Sequence, residues 1–372
     1  MKKNFDRKKL YCIIFAILIC FPVPLGYSLG LRGAEAENRA LAEPPSFSFV
    51  EYRTFSERFE TWFNDYLPFK DQLTNLHSRI NLRLFQVSPT NRVIVGKDGW
   101  LFYNSAPTGD GDELSDYIGA ILYTPEELDI LTQNVIQMQQ DMDERSIDFY
   151  IFIPSNKSSI YGEKMPSYFH KASKISRTEQ LINHLRENTD VKIVFPQEKL
   201  VEESKNNQLY RKYDSHWNEL GAIVATNELL LAMGKDLHPI DEINSSVIAM
   251  ENNGDLTGLM NMDSMYYDDP VYDISGYLPQ ITLTQQTIES SVPKFPIDEF
   301  NSNSSDSRSV VVLGDSYRDA TESTFPKNFQ TCTYMVREAW EESFYDKYQP
   351  DIIVLEIVER VVGPGLSNYE GM

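Results

Sequence analysis

Val310-Val311-Val312-Leu313-Gly314-Asp315-Ser316 reads as a short buried strand ending in a tight turn that carries a serine. A run of apolar, mostly β-branched residues is the pattern of a strand covered on both faces. Gly314 permits the turn. Ser316 then sits just past the carboxyl end of the strand, where open α/β sheets hold their sites. If Ser316 opens the next helix, its own N–H and the helix N-terminus face a developing oxyanion. The same residues also fit a plain helix cap, with Asp315 or Ser316 as the capping side chain. From these residues alone both readings stand.

A second motif lies upstream, Tyr213-Asp214-Ser215-His216-Trp217-Asn218. Asp214 and His216 are separated by one residue, so in an extended segment they project to one face. A carboxylate there accepts the imidazole Nδ1–H and fixes the tautomer, leaving Nε2 to take a serine proton. The candidate triad runs Asp214, His216, Ser316 in chain order. A packed, satisfied histidine and a metal ligand remain alternatives. His77, His170, His184 and His238 have no ligand-like spacing to His216, so neither a metal nor a cofactor is expected. Asn218 also reads as the cap of a following helix.

Around these motifs strands and helices alternate. Arg92–Val95 and Trp100–Tyr103 flank Gly96-Lys97-Asp98-Gly99, a hairpin signal. Residues 104–123, with Gly109-Asp110-Gly111-Asp112, read as a surface loop. Thr124 and Pro125 open a helix to about Arg145. A strand is expected at Phe149–Ile153, a helix at Ser176–Asn188, a strand at Val191–Phe195 and a helix at Asn218–Met233. Residues 241–307 look polar and irregular, with Asp263, Asp268, Asp269 and Asp273 clustered. Strands at Thr331–Val336 and Ile352–Ile357 bracket a helix at Glu338–Tyr348. Continuous apolar strands alternating with helices imply the α/β class, a mostly parallel sheet flanked by helices.

The amino-terminal part reads differently. Lys2, Lys3, Arg7, Lys8 and Lys9 precede an uncharged run from Leu10 to Leu31, long enough to span a bilayer. The basic flank puts residues 1–9 in the cytoplasm and the remainder outside. The expected organisation is a cytoplasmic tail (1–9), a transmembrane signal anchor (10–31), a stalk (32–46) and an extracytoplasmic domain (47–372). A cleaved signal peptide ending near Ala34-Glu35-Ala36 is the rival reading. From Phe47 to about Val87 the pattern is helical. Phe55, Phe59, Trp62 and Phe63 form an aromatic stripe read as core packing, and Pro68 is expected to start a second helix.

A formal net charge of −21, with nothing strongly basic beyond the first residues, argues against nucleic acid. Hydrophobic content of 41 % with 12 % aromatics excludes a disordered chain. Cys12 and Cys20 lie in the apolar segment, so Cys332 has no partner for a disulfide within the folded part and reads as a buried strand residue.

The two motifs together resemble the AlgJ/AlgX-type O-acetyltransferases and the wider group of DHHW proteins. Glu37-Asn38-Arg39 with the prolines that follow, Gly96–Tyr103, Pro154-Ser155-Asn156-Lys157-Ser158-Ser159-Ile160-Tyr161 with Pro166, and Pro350-Asp351 through Glu359-Arg360 are similar to further segments of that family. The resemblance covers roughly residues 35–362. It implies an SGNH-hydrolase-like fold with Asp214 as orienter, His216 as base and Ser316 as nucleophile. It implies acetyl transfer to a hydroxyl of a cell-surface or secreted polysaccharide, with the donor delivered by a membrane-bound O-acyltransferase partner. A carbohydrate esterase of the same fold and a non-catalytic scaffold of an export complex are the alternatives. Ser215 stands where the DHHW group often has histidine, a position expected to point away from the base. The glycine and asparagine of ordinary SGNH oxyanion holes have no clear counterpart; Asn156, Tyr317 and Arg318 are the candidates for that role or for substrate contact. Tyr103, Trp217 and Tyr161 are candidates for sugar stacking, with core packing favoured for each.

Overall fold

The expected strand around Val311 lies near the centre of a seven-stranded sheet. The computed structural model describes residues 7–20, 25, 28, 42–46, 52–67, 69–85, 87–243, 245–251, 254–260, 262 and 268–367. The chain divides into two compact units, Met1–Pro89 and Thr90–Met372. The helices at Tyr52–Tyr66 and Lys70–Ile80 fall in the first unit.

In the second unit, β1 (Val93–Val95) and β2 (Leu101–Tyr103) form the expected antiparallel hairpin. The chain continues through β3 (Asp148–Phe152), β4 (Lys192–Val194), β5 (Val247–Glu251), β6 (Asp269–Tyr272), β7 (Leu283–Ile288), β8 (Ile297–Ser302), β9 (Ser309–Leu313), β10 (Thr331–Met335) and β11 (Ile352–Glu356). The main sheet has the order β4-β3-β11-β9-β10-β8-β7. Its first five strands are parallel, while β8 and β7 add an antiparallel edge. The sheet is thus mixed. The antiparallel pair comes from the region expected to be irregular, as does the ribbon β5–β6. A polar outer face hid β7: Leu-Thr-Gln-Gln-Thr-Ile is exposed at its four central residues.

Two apolar cores explain why the central strands read as continuous runs. Val310, Val312, Ile352, Val354, Tyr150 and Phe152 share one core with helix Glu219–Ala232. Val311, Leu313, Ile353, Leu355, Phe149 and Ile151 share the other with helices Pro125–Glu144 and Arg177–Asn188. Alternate residues feed opposite faces, so both parities must be apolar. Each such side chain contributes about 1.5–3 kcal/mol on full burial. Cys332 is buried on β10 as expected.

The expected helix starts hold. Thr124 accepts from Glu127 N and Ser176 from Glu179 N, each completed as a capping box. Asn218 accepts from Gly221 N. The expected helix at Glu338–Tyr348 is shorter: a 3₁₀ turn at Arg337–Ala339, then a helix at Ser343–Tyr348. Residues 104–123 are more than a loop, since they hold a helix at Glu113–Ile118 with Glu113, Asp116 and Tyr117 buried.

In the first unit, helices span Tyr52–Tyr66 and Lys70–Ile80. The aromatic stripe stacks along its own helix, with Phe59 ring centroids 6.0 Å from both Phe55 and Phe63. Phe59 stays 43 % exposed, so the stripe is not the buried core its spacing suggested. Pro68 and most of the stalk lie outside the described residues. The amino-terminal helix is Arg7–Cys20, 14 residues, and most of residues 21–31 also lie outside them. Among the described residues no helix is long and apolar enough to cross a membrane.

Candidate active site

The sheet brings the two motifs together at the carboxyl end of β9. Ser316 opens a 3₁₀ turn, Ser316–Ala320, and is exposed. Asp315 caps that turn: Oδ1 accepts from Tyr317 N at 2.9 Å, and Oδ2 accepts from Val358 N at 2.8 Å, just past β11. The capping reading of this segment is met by Asp315, which leaves the Ser316 hydroxyl exposed.

Ser316 Oγ lies 2.7 Å from His216 Nε2, and His216 Nδ1 lies 2.7 Å from Asp214 Oδ1. The expected one-face geometry is reached by a bend instead of an extended segment. Asp214 Oδ1 also accepts the backbone N–H of His216 at 2.8 Å, an Asx turn. Burial pushes the Asp214 carboxyl up, but the hydrogen bond and charge of His216, with amide bonds from Asp255 and His216, hold it well below the usual range. Burial lowers His216, yet the hydrogen bond and charge of Asp214 and the charge of Asp255 lift it above its ordinary 6.5.

Tyr317 and Trp217 cross-link the motifs. Trp217 Nε1 donates to the Tyr317 carbonyl and the Tyr317 hydroxyl donates to the Ser215 carbonyl, each at 2.9 Å. The Tyr317 ring centroid is 5.0 Å from that of His216. Since the Tyr317 amide and hydroxyl are both committed, its part is positioning. Trp217 and Tyr161 are buried in the core. Arg318 is buried with Nη1 lacking a protein partner, and it borders a cleft that reaches Ser316. Asn156 is fully buried; its amide donates to Glu359 Oε2 at 2.7 Å, and its side-chain Oδ1 and Nδ2 have no partner. Asn156 borders neither cleft that reaches Ser316.

Three supports went unread in the sequence. Buried Lys157 donates from Nζ to the carbonyls of Arg211, Lys212 and Asp214 at 2.9, 3.1 and 2.7 Å. Asp269 accepts the amides of Lys212 and Tyr213, so one member of the acidic cluster is a buried clamp. Asp268 meets the Tyr213 hydroxyl and Asp273 accepts from Ser275 N, while Asp263 lies outside the described residues. The third support is Asp255, whose N–H donates to Asp214 Oδ2 at 3.0 Å. Its carboxylate accepts from Ser215 N at 2.8 Å and Ser215 Oγ at 2.5 Å. Ser215 therefore does not point away from the base: its Oγ is 3.4 Å from His216 Nδ1. Gly254 permits this approach, because a Cβ there would lie 2.0 Å from the Tyr213 carbonyl oxygen. Nothing in the local sequence ties Gly254-Asp255 to residues 213–216.

Asp214, His216 and Asp255 each place one donor atom within 4.8 Å of the others, a spacing that could hold a metal ion. These carboxylate and imidazole atoms also take part in the hydrogen bonds of Asp214 and Ser215. Two clefts meet at Ser316 and Asp319. One, about 340 Å³, is bordered by Arg211, Asp214, His216 and Glu219; the other, about 640 Å³, lies toward the β7–β8 turn.

With this geometry in hand, residues 93–342 match the family model described as SGNH hydrolase-like domain, acetyltransferase AlgX, over more than half of the chain. The chain belongs to this family. Its SGNH-like fold is an α/β domain with a mixed central sheet. Among curated proteins the chain is 22 % identical over 297 residues to the probable alginate O-acetylase AlgJ of Pseudomonas aeruginosa. That match covers 73 % of this chain and 65 % of AlgJ, so the chain spans less than two thirds of that relative. A DHHW family protein from Eubacterium siraeum has a similar fold, with TM-score 0.55 and 14 % identity over 75 % of this chain and 96 % of that one. Bacillus cereus PatB1 with a sulfonyl adduct gives 0.54 and 14 % over 75 % and 98 %. At these identities both likenesses concern the fold.

Proposed function

We propose that this SGNH-like domain is an extracytoplasmic O-acetyltransferase that carries an acetyl group on Ser316 and passes it to a hydroxyl of a cell-surface or secreted polysaccharide. The observation that carries this reading is the 2.7 Å contact between exposed Ser316 Oγ and His216 Nε2, with Asp214 on the opposite ring nitrogen. His216 takes the Ser316 proton as Oγ attacks the acetyl carbonyl carbon, then returns it to the leaving group. In the second half, an acceptor hydroxyl gives its proton to His216 and attacks the acetyl-serine. Asp214 holds the reactive tautomer and stabilises the imidazolium. Family membership and the likeness to AlgJ support acetyl transfer over other acyl chemistry.

The basic residues before Leu10 and the apolar run after them support a single-pass signal anchor with the domain outside. Acetyl-CoA is absent there, so the donor is delivered through a membrane-bound O-acyltransferase partner.

The test is a chromogenic acetyl ester with the purified protein, read by ester turnover and by intact mass for an acetyl on Ser316. Ser316→Ala is expected to abolish both, and unchanged turnover in that variant overturns the role of Ser316. An acceptor oligosaccharide then separates transferase from esterase: acetylated sugar supports transfer, and acetate alone supports hydrolysis.

A further inference from the structure

The turn between β7 and β8 faces the nucleophile. Asp298 on β8 is paired with Tyr334 on antiparallel β10, so residues before Ile297 lie past the carboxyl ends of the parallel strands, at the edge that carries Ser316. The turn is pinned: Ser290 Oγ accepts from Val292 N at 3.0 Å and reaches the Phe295 carbonyl at 2.5 Å, and Phe295 N donates to Val292 O at 3.2 Å. Phe295 is half exposed on it and borders the 640 Å³ cleft that ends at Ser316. That volume lies within the roughly 300–1,000 Å³ of ordinary ligand sites.

The polar lining selects against one kind of ligand. Asp298, Asp315, Asp319, Glu322, Glu338 and Glu356 contribute six carboxyl groups to it. Lys294, Arg318 and Arg337 are the three cations. Arg337 Nη1 already donates to the Gly365 carbonyl, and Arg318 Nε lies 3.7 and 4.0 Å from the Asp319 and Glu322 carboxylates. Burial and then the charge of Asp298 lift Glu322 to about 7, as expected where carboxylates crowd. Arg318, 5 % exposed, keeps Nη1 without a protein partner, as Glu356, 4 % exposed, does Oε1.

We propose that this cleft is the acceptor subsite and takes a sugar residue that carries no carboxylate, its apolar ring face on Phe295 and its hydroxyls toward the Arg318 side of the cleft. The assignment of the cleft to the acceptor rests on the acyl-enzyme reading above. In the step it serves, the sugar hydroxyl oxygen bonds to the acetyl carbonyl carbon and the bond to Ser316 Oγ breaks. The hydroxyl proton passes to His216 and returns to Ser316. An anionic uronate would enter a lining with twice as many carboxyl groups as cations and add to their crowding, which costs affinity.

Binding to full-length Ser316→Ala protein tests this without chemistry. Calorimetry would compare a neutral hexose oligomer, an N-acetylhexosamine oligomer and an oligouronate of equal length. Expected are binding of at least one uncharged oligomer, oligouronate binding at least about tenfold weaker, and an added Phe295→Ala change that weakens the uncharged oligomer about tenfold, with Phe295→Trp restoring it. Glu338→Lys, at an exposed position, is expected to narrow the gap to the oligouronate. Equal or tighter oligouronate binding, no binding of any oligomer, or a Phe295→Ala variant that melts and binds like its parent overturns the proposal. Selective binding by the Ser316→Ala protein, with no acetyl-serine formed by the unsubstituted protein, would sink the transferase reading alone.

Discussion

Trp217 and Tyr317 hold each other's motifs: the indole donates to the Tyr317 carbonyl, and the Tyr317 hydroxyl returns a bond to the Ser215 carbonyl. His216 lies between Ser215 and Trp217 in sequence and Ser316 directly precedes Tyr317, so their 2.7 Å contact is set by a frame of buried groups. Tyr317→Phe removes one side of that frame and leaves a buried carbonyl unpaired. The expected cost is about 1–2 kcal/mol of stability. Ester turnover should drop with KM little changed, because Tyr317 acts through His216. Denaturant melts and steady-state kinetics check both.

Asp214→Asn keeps the shape but removes the charge that orients the imidazole. Turnover of a chromogenic ester is expected to fall about 10³- to 10⁴-fold. Circular dichroism should show the folded domain intact.

Asp255→Asn tests the second carboxylate behind His216. Only neutral imidazole accepts the serine proton, so the acid limb of kcat/KM follows the His216 pKa, which lies above 6.5. Asp255 is one of the charges that raise it. Removing that charge is expected to move the acid limb to lower pH, and to reduce the plateau as the imidazolium loses support. A pH profile with an unmoved acid limb would remove Asp255 from the site.

Lys157→Met deletes three bonds to the segment that carries Asp214. Burial lowers the Lys157 ammonium to about 8, although Asp269, Asp214, Asp255 and Glu113 oppose that shift. The three carbonyls would lose their donor, at an expected cost of about 3–5 kcal/mol. Chemical denaturation measures it, and loss of turnover should accompany it.

Gly111 and Gly109 share a φ of +76° but differ in surroundings. A Cβ on Gly111 would sit 2.0 Å from the Arg360 carbonyl oxygen, whereas one on Gly109 meets nothing within 4 Å. Gly109→Ala is expected to cost about 1–2 kcal/mol from the left-handed backbone alone. Gly111→Ala should cost clearly more, since the Arg360 backbone must move. Thermal melts of the two variants compare them directly.

Local chemistry was enough for the buried strands, the capped helix starts and the two motifs whose Asp214, His216 and Ser316 side chains meet in the structure, because each is written in a few neighbouring residues. Val310–Leu313 must be apolar at every position to serve two cores, and Thr124, Ser176 and Asn218 satisfy amides within four residues of themselves. Strand β7 escaped because an edge strand with a solvated face needs no apolar run, and β8 beside it because Asp298, Glu299 and Asn301 interrupt its apolar residues. The aromatic stripe at Phe55–Phe63 had the period of a buried face, and period alone does not say what covers it.

The amino-acid sequence by itself determined that a carboxylate, an imidazole and a serine hydroxyl stand in these two motifs, and that a strand end presents the serine. Only the tertiary structure decided what holds and surrounds them. Lys157, Asp255, Asp269 and the Phe295 turn come from distant parts of the chain, and their partners are mostly backbone amides and carbonyls, which every residue type supplies alike. A hydrogen bond to such a group leaves no mark on the residue that accepts it, so it becomes visible only when folding brings the two segments together.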